Sequence, residues 1–240
     1  MDMHKITKAA RKVLPLKYCG AVILAAGTAS RMGGIDKMFA DLGGKPVIYR
    51  TAEAFSCCDA ISEIVVVTRP DKIMEVTGLL GEFPKVKAVM AGGETRQASV
   101  AAGLAALSKK VKLAAVQDGA RPLVTPLLID RVVRAAHTYG AAAPGVPVKD
   151  TVKVVRGGIV ESTPDRSSLK AIQTPQVFDR DLLCGALVKA QQDGAAVTDD
   201  CSAVERLGMS VRIVEGDEQN MKITTAADLK IARLLWEEQK

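Results

Sequence analysis

Four short, largely apolar runs separated by helix-length segments restrict this chain to few folds. The runs are Ala21-Val22-Ile23-Leu24, Ile64-Val65-Val66-Val67, Val86 to Met90 and Leu113 to Val116. They are too short to be buried helices. Apart from Lys87 in the third they contain no polar residue, so they read as strands, those at Ala21–Leu24 and Ile64–Val67 buried. Between them lie a helix opening at Pro46 and running to about Cys57, and another from Glu94 to about Leu107. A third begins at Thr125-Pro126, a side-chain cap followed by Pro at the first helical position, and ends near Gly140. Strand–helix alternation of this kind predicts an α/β fold: an open, mostly parallel, Rossmann-like sheet with helices on both faces. Ligands bind such sheets beyond the carboxyl ends of the strands. Gly27, Gly93 and Asp118 fall at those ends.

After Gly140 the pattern changes. Thr151 to Val155, Gly157-Gly158 and Ile159 to Thr163 read as a hairpin too short and too polar for a core of its own. It is expected to project as an arm, at about residues 147–170. Helices follow at about Asp179–Gln191, Asp199–Leu207 and Ala226–Glu237, with a strand at Val211–Val214. No repeat or linker divides residues 18–240, which are expected to form one domain. Residues 1–17 carry Lys5, Lys8, Arg11, Lys12 and Lys17 and read as a basic extension without the apolar run of a signal peptide.

Composition narrows the function. Hydrophobic residues make up 48% of the 240 and charged residues 25%, which excludes a disordered chain. No apolar run approaches the roughly 18 residues of a membrane span. The net charge of +6 suits an anionic small molecule. Aromatics at 3% cannot build stacking platforms for single-stranded nucleic acid. Five cysteines without a C-x-x-C pair indicate reduced thiols in a cytoplasmic protein. With only His4 and His137 available, the chemistry falls to Lys, Arg, Asp and backbone groups.

The first loop reads Leu24-Ala-Ala-Gly27-Thr-Ala-Ser-Arg31-Met-Gly33-Gly34-Ile-Asp-Lys37. It is neither a P-loop nor a G-x-G-x-x-G turn. Its small residues nevertheless let backbone N–H groups approach phosphate oxygens, and Arg31 and Lys37 add positive charge. Asp118, at a strand end, is either a turn-forming residue or an oxygen ligand for Mg²⁺. Arg121, before Pro122, reads as a structural clamp on a local carboxylate. Arg96 is either a phosphate contact or a solvated cation. Thr198-Asp199-Asp200 reads as a helix cap with no chemistry, and Thr224 as a cap for the last helix.

The loop resembles the signature of nucleotidyltransferases. Further segments follow in order: Gly92-Gly93-Glu94-Thr95-Arg96-Gln97-Ala98-Ser99, Asp118-Gly119-Ala120-Arg121-Pro122, Pro147 to Lys153, Asp165-Arg166, Gln173-Thr174-Pro175-Gln176, Thr198-Asp199-Asp200 and Asn220 to Thr224. Together they resemble the 2-C-methyl-D-erythritol 4-phosphate cytidylyltransferases of non-mevalonate isoprenoid synthesis, over about residues 20 to 235. The resemblance implies Mg²⁺-dependent transfer of CMP from CTP to that polyol phosphate. It implies Arg31, Lys37, Arg166 and Lys222 as catalytic residues, and Ala25, Ala26, Gly27, Gly93 and Ser99 as nucleotide-binding ones. Asp118, Thr151, Thr174, Arg166 and Lys222 would bind substrate, with Asp118 also on the metal. It further implies a homodimer in which the arm carries Thr151 and Arg166 into the neighbouring site. A ribitol 5-phosphate cytidylyltransferase and a non-catalytic nucleotide sensor remain as alternatives. Leu24, Ala29 and Gly119 depart from common family forms.

Overall fold

In the computed structural model of the protein, residues 18–27 and 36–238 are described. The basic extension over 1–17, Ala29 and Arg31 lie outside them. In chain order the elements are β1 (Cys19–Ala25), a ribbon of β2 (Asp41–Leu42) and β3 (Lys45–Pro46), α1 (Val47–Cys57), β4 (Ile61–Thr68), α2 (Ile73–Leu80) and β5 (Val86–Ala91). Then come α3 (Arg96–Ala106), β6 (Leu113–Asp118), α4 (Pro126–Tyr139), β7 (Ala141–Pro147), β8 (Val154–Arg156), β9 (Ile159–Ser162) and β10 (Lys170–Ile172). The chain closes with β11 (Gln176–Asp179), α5 (Arg180–Gln192), α6 (Asp200–Glu205), β12 (Arg212–Glu215) and α7 (Ala226–Glu238).

The four apolar runs pair in parallel as β5–β4–β1–β6, as their patterning predicts. Successive side chains on β1 point to opposite faces, so both faces must be covered. Ala21 and Ile23 pack with Ile64, Val66 and Ala115 against α1 and α4, beside Phe55 and Ile129. Val22 packs with Val65, Val67 and Val116 against α3, α5 and α6, beside Leu104 and Leu183. Beyond β6 the sheet changes direction. β11 joins β6 antiparallel, and β7 runs antiparallel to β11 and β10 and parallel to β12.

A third cluster of Leu42, Val47, Leu123, Ile223, Leu229 and Ala232 docks α7 on the β2–β3 ribbon. Arg50 ties the two together. Its guanidinium carbon lies 4.3 Å from the centre of the Trp236 ring, and Nε donates to the Leu42 carbonyl at 3.1 Å. Ile223 is fully buried. Such burial stabilises by about 2 kcal/mol, and it anchors the segment that carries Lys222.

Thr125 caps α4 by accepting from the Leu128 N–H, and Gly140 ends that helix. The last helix is capped by Thr225 rather than Thr224. The Thr225 hydroxyl accepts from the Asp228 N–H at 3.2 Å, and the Asp228 carboxylate accepts from the N–H groups of Thr224 and Thr225.

The arm is a separate two-stranded sheet of β8 and β9. Gly157 and Gly158 turn it with φ of 58° and 81°. Two successive positive φ values require residues without a Cβ penalty. Val154, Val155, Ile159 and Val160 are all exposed, Ile159 at 76%.

Candidate active site

A cavity of about 360 Å³ opens at the carboxyl ends of β1, β5 and β6. Its wall includes Ala26 and Gly27 after β1, Gly93 after β5, Arg96 and Ser99 at the start of α3, and Asp118 with Gly119 at the end of β6. Lys37 and Lys222 arrive from outside the sheet. Strand ends, a helix start and two lysines therefore converge on one space.

Each element is held for a local reason. Thr95 caps α3, accepting from the Ala98 N–H at 3.0 Å. Four amide groups at a helix start lack partners within the helix, so this end carries partial positive charge. The Ser99 hydroxyl accepts from the Gly93 N–H at 3.1 Å and donates to the Thr95 carbonyl at 3.0 Å. Ser99 thus ties the strand-end loop to the helix. Its own backbone bonding and its place in the wall hold together. Asp36 presents Lys37: one carboxylate oxygen accepts from the Met38 N–H at 3.1 Å, the other from Arg69 at 2.6 Å. Ala25 is the buried last residue of β1. Gly119 donates its N–H to the Leu24 carbonyl at 2.8 Å. A Cβ at position 119 would lie 2.8 Å from that same oxygen, so the approach requires glycine here.

Asp118 is the electrostatic centre. Its Oδ2 lies 2.9 Å from Lys222 Nζ and 3.5 Å from Arg121 Nε. Burial alone would raise the Asp118 carboxyl. Lys222 and Arg121 outweigh burial and hold it below the usual carboxylate range, so it is ionised. Arg121 also donates to the Asn220 carbonyl at 2.7 Å, the clamp its position beside Pro122 suggests. Both cations meet Oδ2. A single carboxylate of this kind fits Mg²⁺, which takes one or two protein oxygens and fills its octahedron with phosphate and water. Among the described residues no group of three or more His, Cys, Asp and Glu could hold a metal by itself.

Other expected residues lie elsewhere. Thr174 is buried, and its hydroxyl accepts from the Asp118 N–H at 3.1 Å. It holds the Asp118 backbone and is not part of the cavity wall. Thr151 and Arg166 are exposed around the arm, away from the cavity wall of the same chain. Arg166 donates to the Lys149 carbonyl at 2.5 Å.

One pair was hidden in the sequence. Arg96 Nη2 lies 2.7 Å from Oδ2 of Asp200, whose side chain is 1% exposed. Burial pushes the Asp200 carboxyl up against the downward pull of Arg96. Asp199 does cap α6, in a capping box with Ser202. Asp200 instead lies on the buried face with Ala203 and Val204, one turn on. That helical spacing was the available signal, because a carboxylate facing a core demands a cation.

The sequence profile of the 2-C-methyl-D-erythritol 4-phosphate cytidylyltransferases matches residues 19–238. The chain belongs to this family. A relative bearing that name from Caldanaerobacter subterraneus subsp. tengcongensis is 45% identical over 219 residues, covering 89% of this chain and 96% of the relative. One from Geobacillus kaustophilus is 45% identical over 218 residues, covering 90% and 95%. Among solved structures, a 4-diphosphocytidyl-2C-methyl-D-erythritol synthase from Anaerococcus prevotii superposes with a TM-score of 0.83 at 32% identity, covering 92% of this chain and 96% of that one. A cytidylyltransferase from Thermus thermophilus gives 0.74 at 36% identity, covering 92% and 99%. The chain is thus a nucleotidyltransferase-family enzyme with the mostly parallel α/β sheet of its relatives, and the cavity described above occupies that sheet's ligand-binding edge.

Proposed function

We propose that this enzyme transfers CMP from CTP to 2-C-methyl-D-erythritol 4-phosphate, giving 4-diphosphocytidyl-2-C-methyl-D-erythritol and pyrophosphate. The observation that carries the reading is the strand-end cavity, whose wall holds Lys37, Arg96 and Lys222 together with the ionised carboxylate of Asp118. Arg96 is balanced by Asp200, and cations gathered at strand ends beside a helix start suit a phosphate-bearing ligand.

A phosphate oxygen of the polyol phosphate attacks the α-phosphorus of CTP. The bond from that phosphorus to the bridging oxygen breaks, and pyrophosphate leaves with the electron pair. A phosphate nucleophile is already ionised near neutral pH, so no histidine base is required. The protein's work is alignment and charge stabilisation. Ala25, Ala26, Gly27, Gly93 and Ser99 hold the nucleotide, with backbone groups reading the cytosine edge. Lys37, with Arg31, stabilises charge growing on the α-phosphate and leaving group. Lys222 holds the attacking phosphate. Asp118 and the triphosphate oxygens would hold Mg²⁺, which neutralises phosphate charge when bound. Thr174 keeps Asp118 in place.

The acceptor side is completed by a second subunit. The arm over about 147–170 exposes apolar side chains on both strands, and an isolated hairpin is marginal in water. A two-fold partner covers it and brings Thr151 and Arg166 of the partner subunit to the polyol phosphate. Residues 18–240 act as one domain, with residues 1–17 an extension outside the catalysis. The described residues contain five unbridged cysteines and no helix long and apolar enough to cross a membrane, which suits a cytoplasmic enzyme.

The test is pyrophosphate release from CTP with Mg²⁺ and either 2-C-methyl-D-erythritol 4-phosphate or ribitol 5-phosphate. Release with the first and little with the second is expected. The reverse preference would transfer the assignment to a different polyol. No release with either would leave a sensor.

A further inference from the structure

Resting on the activity proposed above, we infer that Gln173 and Gln176 are positioning residues, each setting a different half of the pocket. They flank a two-residue bend, Thr174-Pro175, between β10 and β11, and both are buried. Neither lines the cavity. Their amides reach in opposite directions.

Gln176 serves the nucleotide half. Its Oε1 accepts from the N–H groups of Asp200 at 3.0 Å and Cys201 at 3.2 Å, the first turn of α6. Its Nε2 donates to the Asp199 carboxylate at 2.7 Å. One amide therefore fixes the backbone of Asp200 and the cap beside it. Asp200 in turn holds Arg96 at 2.7 Å, and Arg96 stands in the cavity wall at the start of the helix that carries Ser99. The chain of contacts runs from β11 through α6 to α3.

Gln173 serves the phosphate half. Its Nε2 donates to the Asp217 carbonyl at 2.7 Å, and its Oε1 accepts from the Asp217 N–H at 3.3 Å. The same oxygen accepts from the Asn220 amide at 3.4 Å. Asn220 also donates to the Thr174 carbonyl at 2.9 Å, and its own carbonyl takes Arg121. This closes the 217–220 loop two residues before Lys222, whose ammonium pairs with Asp118. An amide is needed at both positions because each must donate and accept at once, which neither a carboxylate nor a hydrocarbon can do.

The two residues should therefore fail differently. Gln176→Met is expected to raise Kd and KM for CTP about tenfold, with kcat within about threefold. Gln173→Met is expected to lower kcat and raise KM for the polyol phosphate about tenfold, leaving Kd for CTP near wild type. CTP binding is read by calorimetry and turnover by pyrophosphate release. A double-mutant cycle adds the decisive readout: Gln176→Met should be non-additive with Arg96→Met on CTP affinity, and additive with Gln173→Met. Should Gln176→Met fail to fold, Gln176→Glu keeps the acceptor for both α6 N–H groups and must still weaken CTP binding, by less than the loss seen in Arg96→Met. Equal effects of the two glutamines on every parameter, or strict additivity of Gln176 with Arg96, would overturn the inference. A wild-type protein that binds CTP yet releases no pyrophosphate would defeat the proposed activity alone, since the Kd comparison would still test the positioning.

Discussion

Asp118 meets Lys222 and Arg121 through the same oxygen, while most of its side chain is out of water. A buried carboxylate stays ionised only if its cations outweigh desolvation, and here they do. In wild-type protein the Asp118 carboxyl should titrate below the ordinary value of about 3.9. Lys222→Met removes the nearer cation and leaves burial in place, so the midpoint should move upward. Because the folded state depresses this pKa, Asp118 adds stability above the unfolded value and loses it as pH falls through the folded one. The variant should lose it at higher pH. Carbon-13 titration of labelled aspartate carboxyls reads the midpoint directly, and an unchanged value would mean that Lys222 does not govern Asp118. Lys37 makes a different demand on experiment. Lys37→Ala should lower kcat roughly a hundredfold, the worth of one transition-state donor, with a smaller change in KM for CTP. Steady-state kinetics on folded protein checks this, and a near-normal kcat would remove Lys37 from the mechanism.

At the scale of elements, the helix Ile73–Leu80 was missed, whereas β1, β4 and β6 were legible because burial on both faces leaves unbroken Val, Ile, Leu and Ala runs, and β5 was legible in spite of Lys87. β7 was not. Its sequence, AAAPGVP, has almost no β-propensity, and it becomes a strand because β10, β11 and β12 all pair with it. β11 was missed for a related reason: four residues carry too little periodicity to announce an antiparallel strand beside β6. With β11 hidden, the reach of Gln173 and Gln176 was hidden too. Most residues of the cavity wall could be named from motifs, because chemistry constrains their types. The Arg96–Asp200 pair could not, because two adjacent acids at a helix start look like a cap. The arm was legible, down to its Gly-Gly turn. Its Val155 and Ile159 face solvent in the single chain, so a Val155→Lys, Ile159→Lys double variant should keep its melting temperature within a few degrees as a monomer. Sedimentation should show the variant monomeric and wild type dimeric, with turnover lost alongside. A variant that remains dimeric would place the interface elsewhere.

At the scale of the whole molecule, the proposed site needs two chains. Lys37 and Lys222 come from one, Thr151 and Arg166 from the other. Homodimers of Lys37→Ala and of Arg166→Ala should each be nearly inactive. A mixed dimer contains one site with both residues and one with neither, so it should recover about half of wild-type activity if the sites are independent. Differently tagged subunits, co-expressed and purified through both tags, supply the sample. Mixed dimers as inactive as their parents would exclude a shared site.

The pocket also has an order of arrival. Lys222 is the last of its residues to leave the ribosome, well after β1, β5 and β6 can pair, and it is delivered by a segment that Ile223 and α7 pin to the ribbon near residue 42. The glycines of the pocket and the Asp118 carboxylate therefore precede that carboxylate's nearer cation by about a hundred residues of chain or more. The half of the pocket proposed to take the acceptor phosphate is therefore the last to be written into the chain, because its lysine is translated after nearly everything it packs against.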